Sequence, residues 1–467
     1  MFKNKRLRYI RAVVNAAAVV ALAVAGSAHA FCGFYVGKAD ANLFNDASQV
    51  IMARHDERTT ITMLNDYRGT LTEFAMVVPV PEVLQKEQIR VVDKKIFDRI
   101  DAYTAPRLAE YFDPDPCQVR REMMMQRAPA TAAMEAGSRV GAAKALGVKI
   151  EAQYTVGEYD ILILSAQDSG GLETWLRNNK YQIPKGASRV LQPYIKQGLK
   201  FFVAKVNLKE QVKTGGTMLR PLQFSFKSEK FMLPIRLGTL NAQGPQDMVI
   251  YMLTKTGRVE ATNYRTVKLP ANMDLPVYLR SEFNSFYKAM FNEQTKREAM
   301  KVVFTEYFWD MSWCDPCAAD PLSTEELKQA GVSWLPETHL TPDAVPPTAP
   351  VLRRPVRPTP GGAQQAMVTR LHVRYTAETF PEDLMFQETK DRQNYQTRYV
   401  LRHAWRGDEN KCEQAKPYLE RVVQRQEREA QVLSNLTGWD INEIRSRAGL
   451  KTSEFIDGLR ARLALWM

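Results

Sequence analysis

The chain has 467 residues, with 64 Lys+Arg against 52 Asp+Glu and a net charge of +12. Five of the basic residues stand in the first eleven positions, so residues 31–467 carry 59 against 52, or +7 over 437 residues. That mild excess argues against a nucleic-acid partner, and no stretch after residue 30 has the eighteen uninterrupted apolar residues of a transmembrane anchor.

The first thirty residues read as a signal peptide. Lys3, Lys5, Arg6, Arg8 and Arg11 form a basic start, "AVVNAAAVVALAVA" an apolar middle, and "SAHA" a small-residue end. Cleavage is predicted after Ala30, leaving Phe31 at the mature N-terminus. Phe31 before Cys32 argues against lipidation, which takes a small residue there. The chain is expected to be exported to the periplasm or the medium. Its five cysteines, Cys32, Cys117, Cys314, Cys317 and Cys412, then enter an oxidising compartment where pairing is the default. Five is odd, so one thiol is left over.

Strands come first. "SQVIMAR", "RTTITMLND" and "TLTEFAMVV" are separated by turns at "HDE" and "YRG", and Thr59, Ile61, Met63 alternate with Thr60, Thr62, Leu64. "VVDKKIFDRIDAYTAPRLAEYF" has helical spacing at Val92, Ile96, Ile100 and Tyr103, with Pro106 placed to break it. Residues 120–147, rich in Ala, Met and Gly, read as a mobile insertion, with a loose helix as the alternative. Short strands return at "KIEAQYTVGEYDILILSA", "KFFVAKVNL", "LQFSFKSEKFMLPIRL", "DMVIYMLT" and "RVEATNYRTVKL", with helices at "LETWLRNN" and "SRVLQPYIKQG". A helix near "YLRSEFNSFYKAMFNEQTKREA" precedes the strand "MKVVFTEYFW".

Eight prolines fall between Pro336 and Pro360, marking an extended linker over 336–366. Beyond it "MVTRLHVRYTA" reads as a strand, and "QAKPYLERVVQRQEREAQVL" and "DINEIRSRAGLKTSEFIDGLRARLAL" as helices. The fold predicted is α+β: an antiparallel β-rich core, sheet or sandwich, over 31–335 with peripheral helices, then the linker, then an α/β C-terminal segment over 367–467.

Several phrases carry a resemblance. "CGFYVGKADANLFNDASQVIMARHDERTTITMLNDYRG", "VVPVP", "LETWLRNNKYQIP", "FMLPIRLGTLNAQGPQDMVIYMLT", "WCDPCAADPL" and "TRLHVRYTAETFPEDLMFQ" occur in this order over nearly the whole of residues 31–467. Together they resemble the exported bacterial proteins grouped as domain of unknown function 2330. The resemblance implies export and one recurrent architecture, and assigns no catalytic residue, cofactor or partner.

"WCDPC" invites a thiol–disulfide reading at Cys314 and Cys317. A redox site needs its first cysteine at the N-terminus of a long helix, where amide dipoles stabilise the thiolate. Here Pro321 follows closely, "STEE" reads as the cap of a separate later helix, and the Asp315 anion disfavours a thiolate. A structural bridge between Cys314 and Cys317 is the preferred reading, and Cys412 is expected to pair with Cys32 or Cys117. Zinc would need a second C-x-x-C or an H-x₃-H, and haem attachment a histidine where Ala318 stands, so neither cofactor is expected.

"QDSGG" at Gln167–Gly171 resembles a serine-protease nucleophile segment. None of His55, His339, His372 and His403 has the surroundings of a triad base, and a helix cap at Asp168 or Ser169 is the simpler reading. "RGD" at Arg406–Asp408 and the methionines of "REMMMQR" carry no chemistry by themselves. The sequence is therefore read as an exported, non-enzymatic binding or scaffolding module with an envelope or secreted protein as partner. The alternative is a thiol–disulfide oxidoreductase using Cys314 and Cys317.

Overall fold

The computed structural model describes residues 34–38, 44–68, 74–118, 149–179, 181–207, 219–242, 244–313, 320–336 and 364–450. Twenty-one strands and seven α-helices lie among these described residues. The chain begins with β1 (Phe34–Lys38), β2 (Phe44–His55), β3 (Arg58–Arg68), β4 (Phe74–Val80), β5 (Ile89–Val91), α1 (Lys95–Thr104) and β6 (Arg107–Phe112). Next come β7 (Lys149–Val156), β8 (Tyr159–Ser165), α2 (Ser169–Asn178), β9 (Tyr181–Gln182), α3 (Ala187–Lys196), β10 (Lys200–Val206), β11 (Leu222–Lys227), β12 (Met232–Leu233) and β13 (Gln246–Thr254). They are followed by β14 (Val259–Ala261), β15 (Arg265–Lys268), β16 (Met273–Leu275), α4 (Phe283–Arg297), β17 (Val302–Asp310) and α5 (Thr324–Gln329). Last are β18 (Met367–Tyr375), β19 (Leu384–Glu388), β20 (Tyr395–Gln396), β21 (Arg398–His403), α6 (Ala415–Thr437) and α7 (Ile441–Arg447).

Two large sheets face each other. One has six strands in the order β7-β8-β10-β4-β1-β9, all antiparallel. The other has nine, in the order β15-β17-β18-β13-β2-β3-β11-β5, with β20 paired to β17. The central strands are apolar on both sides, and side chains alternate between the faces of a strand. From β4, Met76, Val78 and Val80 enter the core between the sheets, while Ala75 and Val77 face outward onto α2 and α3. From β2, Val50 and Met52 point inward, and Ile51 and Ala53 pack outward with Ile96, Phe97 and Ile100 of α1. Phe202 of the six-stranded sheet and Phe224 of the nine-stranded sheet stack with centroids 5.1 Å apart. Each such buried side chain contributes about 1.5–3 kcal/mol of transfer free energy.

The α+β class with a β-rich core and peripheral helices is therefore what the structure has, and the cores account for the continuous apolar runs in "VIMA" and "FAMVVPV". The pairing is more mixed than the short strands suggested. β13 runs parallel to β2 and β15 parallel to β17, and a separate sheet, β16-β21-β6, is wholly parallel. A further three-stranded sheet, β12-β19-β14, is antiparallel. The first three predicted strands do not form one meander: β2 and β3 pair with each other, but β4 joins the facing sheet. Pro106 ends α1 outright, because Ala105 before it is extended (φ −63°, ψ 147°), and "RLAEYF" continues as β6.

Residues beyond the proline-rich stretch return to the core. β18 lies between β17 and β13 in the middle of the nine-stranded sheet. Tyr399 and Leu401 of β21 pack under α4, α6 and α7 with Phe286, Met290, Leu433 and Ile444. The two sides of that stretch thus share one sheet. The signal-peptide residues, the insertion expected over 120–147 and most of the stretch 336–366 lie outside the described residues.

Candidate functional site

Of the residues singled out in the sequence, Ala30, Phe31, Cys32, Cys314 and Cys317 lie outside the described residues. On the near side of the pair, Trp313 is 59% exposed. On the far side, Ser323 caps α5 by accepting from the Glu326 amide at 3.1 Å while the Glu326 carboxylate accepts from the Ser323 amide at 2.8 Å. "STEE" thus caps the start of α5. Asp168 caps α2 by accepting from the Gly171 amide at 2.7 Å, so "DSGG" starts a helix. His55 packs on the Trp334 ring at 5.5 Å, and His403 meets the Glu110 carboxylate at 2.7 Å. Cys412 is bonded to Cys117, 295 residues away, with Cα atoms 5.8 Å apart.

The structure brings His372 together with Arg370, Arg374 and Glu306, which the sequence reading did not single out. On the outer face of the nine-stranded sheet, Arg370, His372 and Arg374 of β18 project side by side between α1 and α4. Glu306 meets them because of a β-bulge in β17: Thr305 pairs with Leu371 and Tyr307 with Arg370, leaving Glu306 as the extra residue. The bulge also shifts the alternation, so Phe304 and Tyr307 both face the helices although they are three residues apart. Its carbonyl accepts from the Thr397 amide at 2.9 Å.

Glu306 is fully buried and fully engaged. Oε2 accepts from Arg370 Nε at 2.5 Å, and Oε1 lies 2.6 Å from His372 Nδ1 and also accepts from the Tyr287 hydroxyl. Arg370 Nη1 continues to Asp101 Oδ1 at 2.5 Å, and Tyr251 donates to that same oxygen at 2.8 Å. At the other end Arg374 binds Asp247 through two hydrogen bonds of 2.7 and 2.6 Å. The His372 ring stacks on Phe291 at 3.8 Å. Burial alone would raise the Glu306 pKa, but His372, Arg370 and the hydrogen bonds from His372 and Tyr287 bring it down to about 2. Burial pushes the Tyr287 and Tyr251 phenols well up. An ionised glutamate that is fully buried and hydrogen-bonded at both oxygens has no proton to give and no contact with solvent. This array is a lock between sheet and helices.

A concave site lies beside the disulfide. Cys117 follows the loop after β6, and Cys412 precedes α6. Asp113 in that loop accepts from the Tyr418 hydroxyl at 2.7 Å and from Arg425 Nη1 at 2.8 Å, while Asp115 holds Lys411 at 2.6 Å. These contacts frame a groove of about 380 Å³ lined by Asp113, Pro114, Pro116, Tyr418, Arg421, Val422, Arg425 and Arg428. Behind it sits Glu429, 3% exposed, its Oε1 facing Arg425 Nε at 3.3 Å. That approach is close enough for an ion pair but not aligned as a hydrogen bond: among the described residues, Glu429 Oε1 and Arg425 Nε and Nη2 are buried without a hydrogen-bond partner. Burial drives the Glu429 carboxyl up to about 7, against the pull of Arg425 and with the push of Asp274. The hydrogen bonds from Tyr418 and Arg425 hold Asp113 below the usual carboxylate range in spite of its burial. A wider depression of about 500 Å³ lies between α1 and α5, but its Arg99 is neutralised by Glu326 at 2.7 Å.

Both clusters left traces in the sequence. "TRLHVRY" places Arg370, His372 and Arg374 two apart in an otherwise apolar strand, and "VVFTEYFW" holds one acid among bulky residues. "YLERVVQRQERE" repeats arginines at helical-turn spacing. Among the described residues no group of three or more His, Cys, Asp or Glu side chains is placed to hold a metal ion, and no helix is long and apolar enough to cross a membrane. A family model described as an uncharacterized protein conserved in bacteria matches residues 26–387. No curated protein and no solved structure matches the chain.

Proposed function

The chain belongs to that bacterial family, domain of unknown function 2330, and on this premise we propose that it is an exported, non-enzymatic binding or scaffolding module of the cell envelope or the medium. The observation that carries the reading is the Cys117–Cys412 bond, which fastens segments 295 residues apart. Such bonds persist in oxidising compartments and are rare where thiols are kept reduced. The basic, apolar, small-residue order of residues 1–30 supports export in the same direction. The non-enzymatic half is supported by the Glu306 array, where acid, base and arginine are bonded to one another beneath α4. Its partner is read as another envelope or secreted protein.

Expression of the full chain in a bacterium, followed by fractionation and N-terminal sequencing, tests the export half. The expected product starts at Phe31, sits in the periplasm or the medium, and has Cys117 and Cys412 protected from alkylation. A cytoplasmic product with both thiols reactive overturns it. Alkylation tests the other half. A Cys314 that reacts rapidly at pH 6 and forms mixed disulfides with other proteins would establish the oxidoreductase reading instead.

A further inference from the structure

Residues 421, 425 and 428 fall on one side of α6, since side chains three and four apart are neighbours on a helix, and they span about 10 Å of its axis. All three are arginines at the groove beside the disulfide. Arg425 is fixed to the wall by Asp113 at 2.8 Å, yet its Nη2 is buried with no hydrogen-bond partner among the described residues. Arg421 and Arg428 are exposed and make no ion pair or hydrogen bond among the described residues. Four neighbouring acids are already taken, while Glu420 is exposed on the same helix. Asp113 holds Tyr418 and Arg425, Asp115 holds Lys411 at 2.6 Å, Asp274 holds Arg402 at 2.9 Å, and Glu427 holds Arg445 at 2.5 Å. Glu429 lies behind Arg425, away from the two free guanidinium groups.

Among the described residues the groove therefore offers two exposed, uncommitted guanidinium forks, those of Arg421 and Arg428. A guanidinium fork matches phosphate and carboxylate oxygens through paired hydrogen bonds. A single carboxylate would fill one fork and leave the other, two helical turns away, unmatched. The rim is also preorganised: the disulfide and the Lys411–Asp115 pair hold the loop against α6, so little ordering entropy remains to be lost on binding. We infer that this groove binds a ligand carrying two or more clustered phosphate groups. The phosphates come either from a soluble chain or from anionic lipid headgroups, and the same forks serve both. The inference deepens the binding reading above by naming a ligand class for one surface.

Calorimetric titration of the oxidised full chain with inorganic tripolyphosphate tests the soluble source. Sedimentation with phosphatidylcholine vesicles, with and without phosphatidic acid, tests the lipid source. Saturable binding of at least one probe is expected, weakening as salt is raised and falling tenfold or more in R421Q/R428Q at an unchanged melting temperature. Arg189→Gln, which removes an exposed arginine of α3, should bind as the parent does. Binding of tripolyphosphate assigns a soluble ligand, and binding confined to phosphatidic acid vesicles assigns a headgroup. Uptake of neither probe, or an equal loss in Arg189→Gln, overturns the inference. In that event a chain still exported and cross-linked leaves the export reading standing.

Discussion

Glu306 and Glu429 are both buried glutamates beside an arginine, and their carboxyl groups are driven in opposite directions. Glu306 settles at about 2 and Glu429 at about 7. The difference is in the donors. Glu306 has Arg370, His372 and Tyr287 on its two oxygens, whereas Glu429 has Arg425 alone, at 3.3 Å and misaligned. Burial makes a carboxylate costly at both positions, and at Glu306 the charges of His372 and Arg370, joined by hydrogen bonds from His372 and Tyr287, reverse the sign. A closed lock and an open groove thus use the same residue types.

The largest effect that would break this comparison is expected at Glu306. Glu306→Ala leaves Arg370 buried without its main counter-ion and should cost about 3–5 kcal/mol in urea denaturation. A loss below 1 kcal/mol would mean that the array is not a lock. The same group sets the acid limb. Its folded pKa lies below the ordinary 4.5, so its stabilisation is present above 4.5 and disappears as the pH falls through about 2. Roughly 3 kcal/mol should be lost over that window in the parent and not in Glu306→Gln.

Removing the cross-link should act on the groove side. Replacing Cys117 and Cys412 by Ser should cost about 2–4 kcal/mol. Hydrogen exchange should rise first in α6 and the loop after β6, leaving the amides of β17 and β18 protected. Uniform loss of protection across both regions would show that groove and lock are one cooperative unit.

A smaller effect, of opposite sign, is expected at Glu429. Its folded pKa of about 7 lies above the ordinary 4.5, so the stability it contributes is full below 4.5 and is lost as the pH rises through 7. Glu429→Gln should therefore match the parent at pH 4 and exceed it by about 1–3 kcal/mol at pH 8. Destabilisation at pH 8 would mean that the Arg425 contact is a working salt bridge and the contrast with Glu306 false. The smallest effect is a local control. Ser323→Ala removes one half of the capping box on α5 and should cost about 1 kcal/mol at every pH, changing neither glutamate.

Much of the secondary structure was legible because its causes are local. The alternation at residues 59–64, the cap at Asp168, the "STEE" box and the break at Pro106 depend on residues a few positions apart. The partner of Cys412 was legible only as a choice between Cys32 and Cys117, since chain spacing sets no distance between remote loops. The clusters were harder. Arg370, His372 and Arg374 share a strand, but nothing in "TRLHVRY" says that its polar face will meet a bulged glutamate of another strand and a tyrosine of α4. The groove was missed for the same reason: the arginine spacing was present, but Pro114 and Pro116 come from a loop some three hundred residues earlier.

The sequence by itself determined that residues 59–64 lie in a strand, that helices start after Asp168 and Ser323, and that the helix over residues 95–104 stops before Pro106. Hydrophobic period, caps and proline act over one or two turns of chain, and their energies need no distant partner. Only the tertiary structure decided that β4 leaves its neighbours for the facing sheet, that β18 fills the gap between β17 and β13, and that two buried glutamates titrate in opposite directions. Those outcomes depend on which donors and apolar faces long-range packing brings within a few ångströms of each other, and at that range one misaligned contact outweighs residue type.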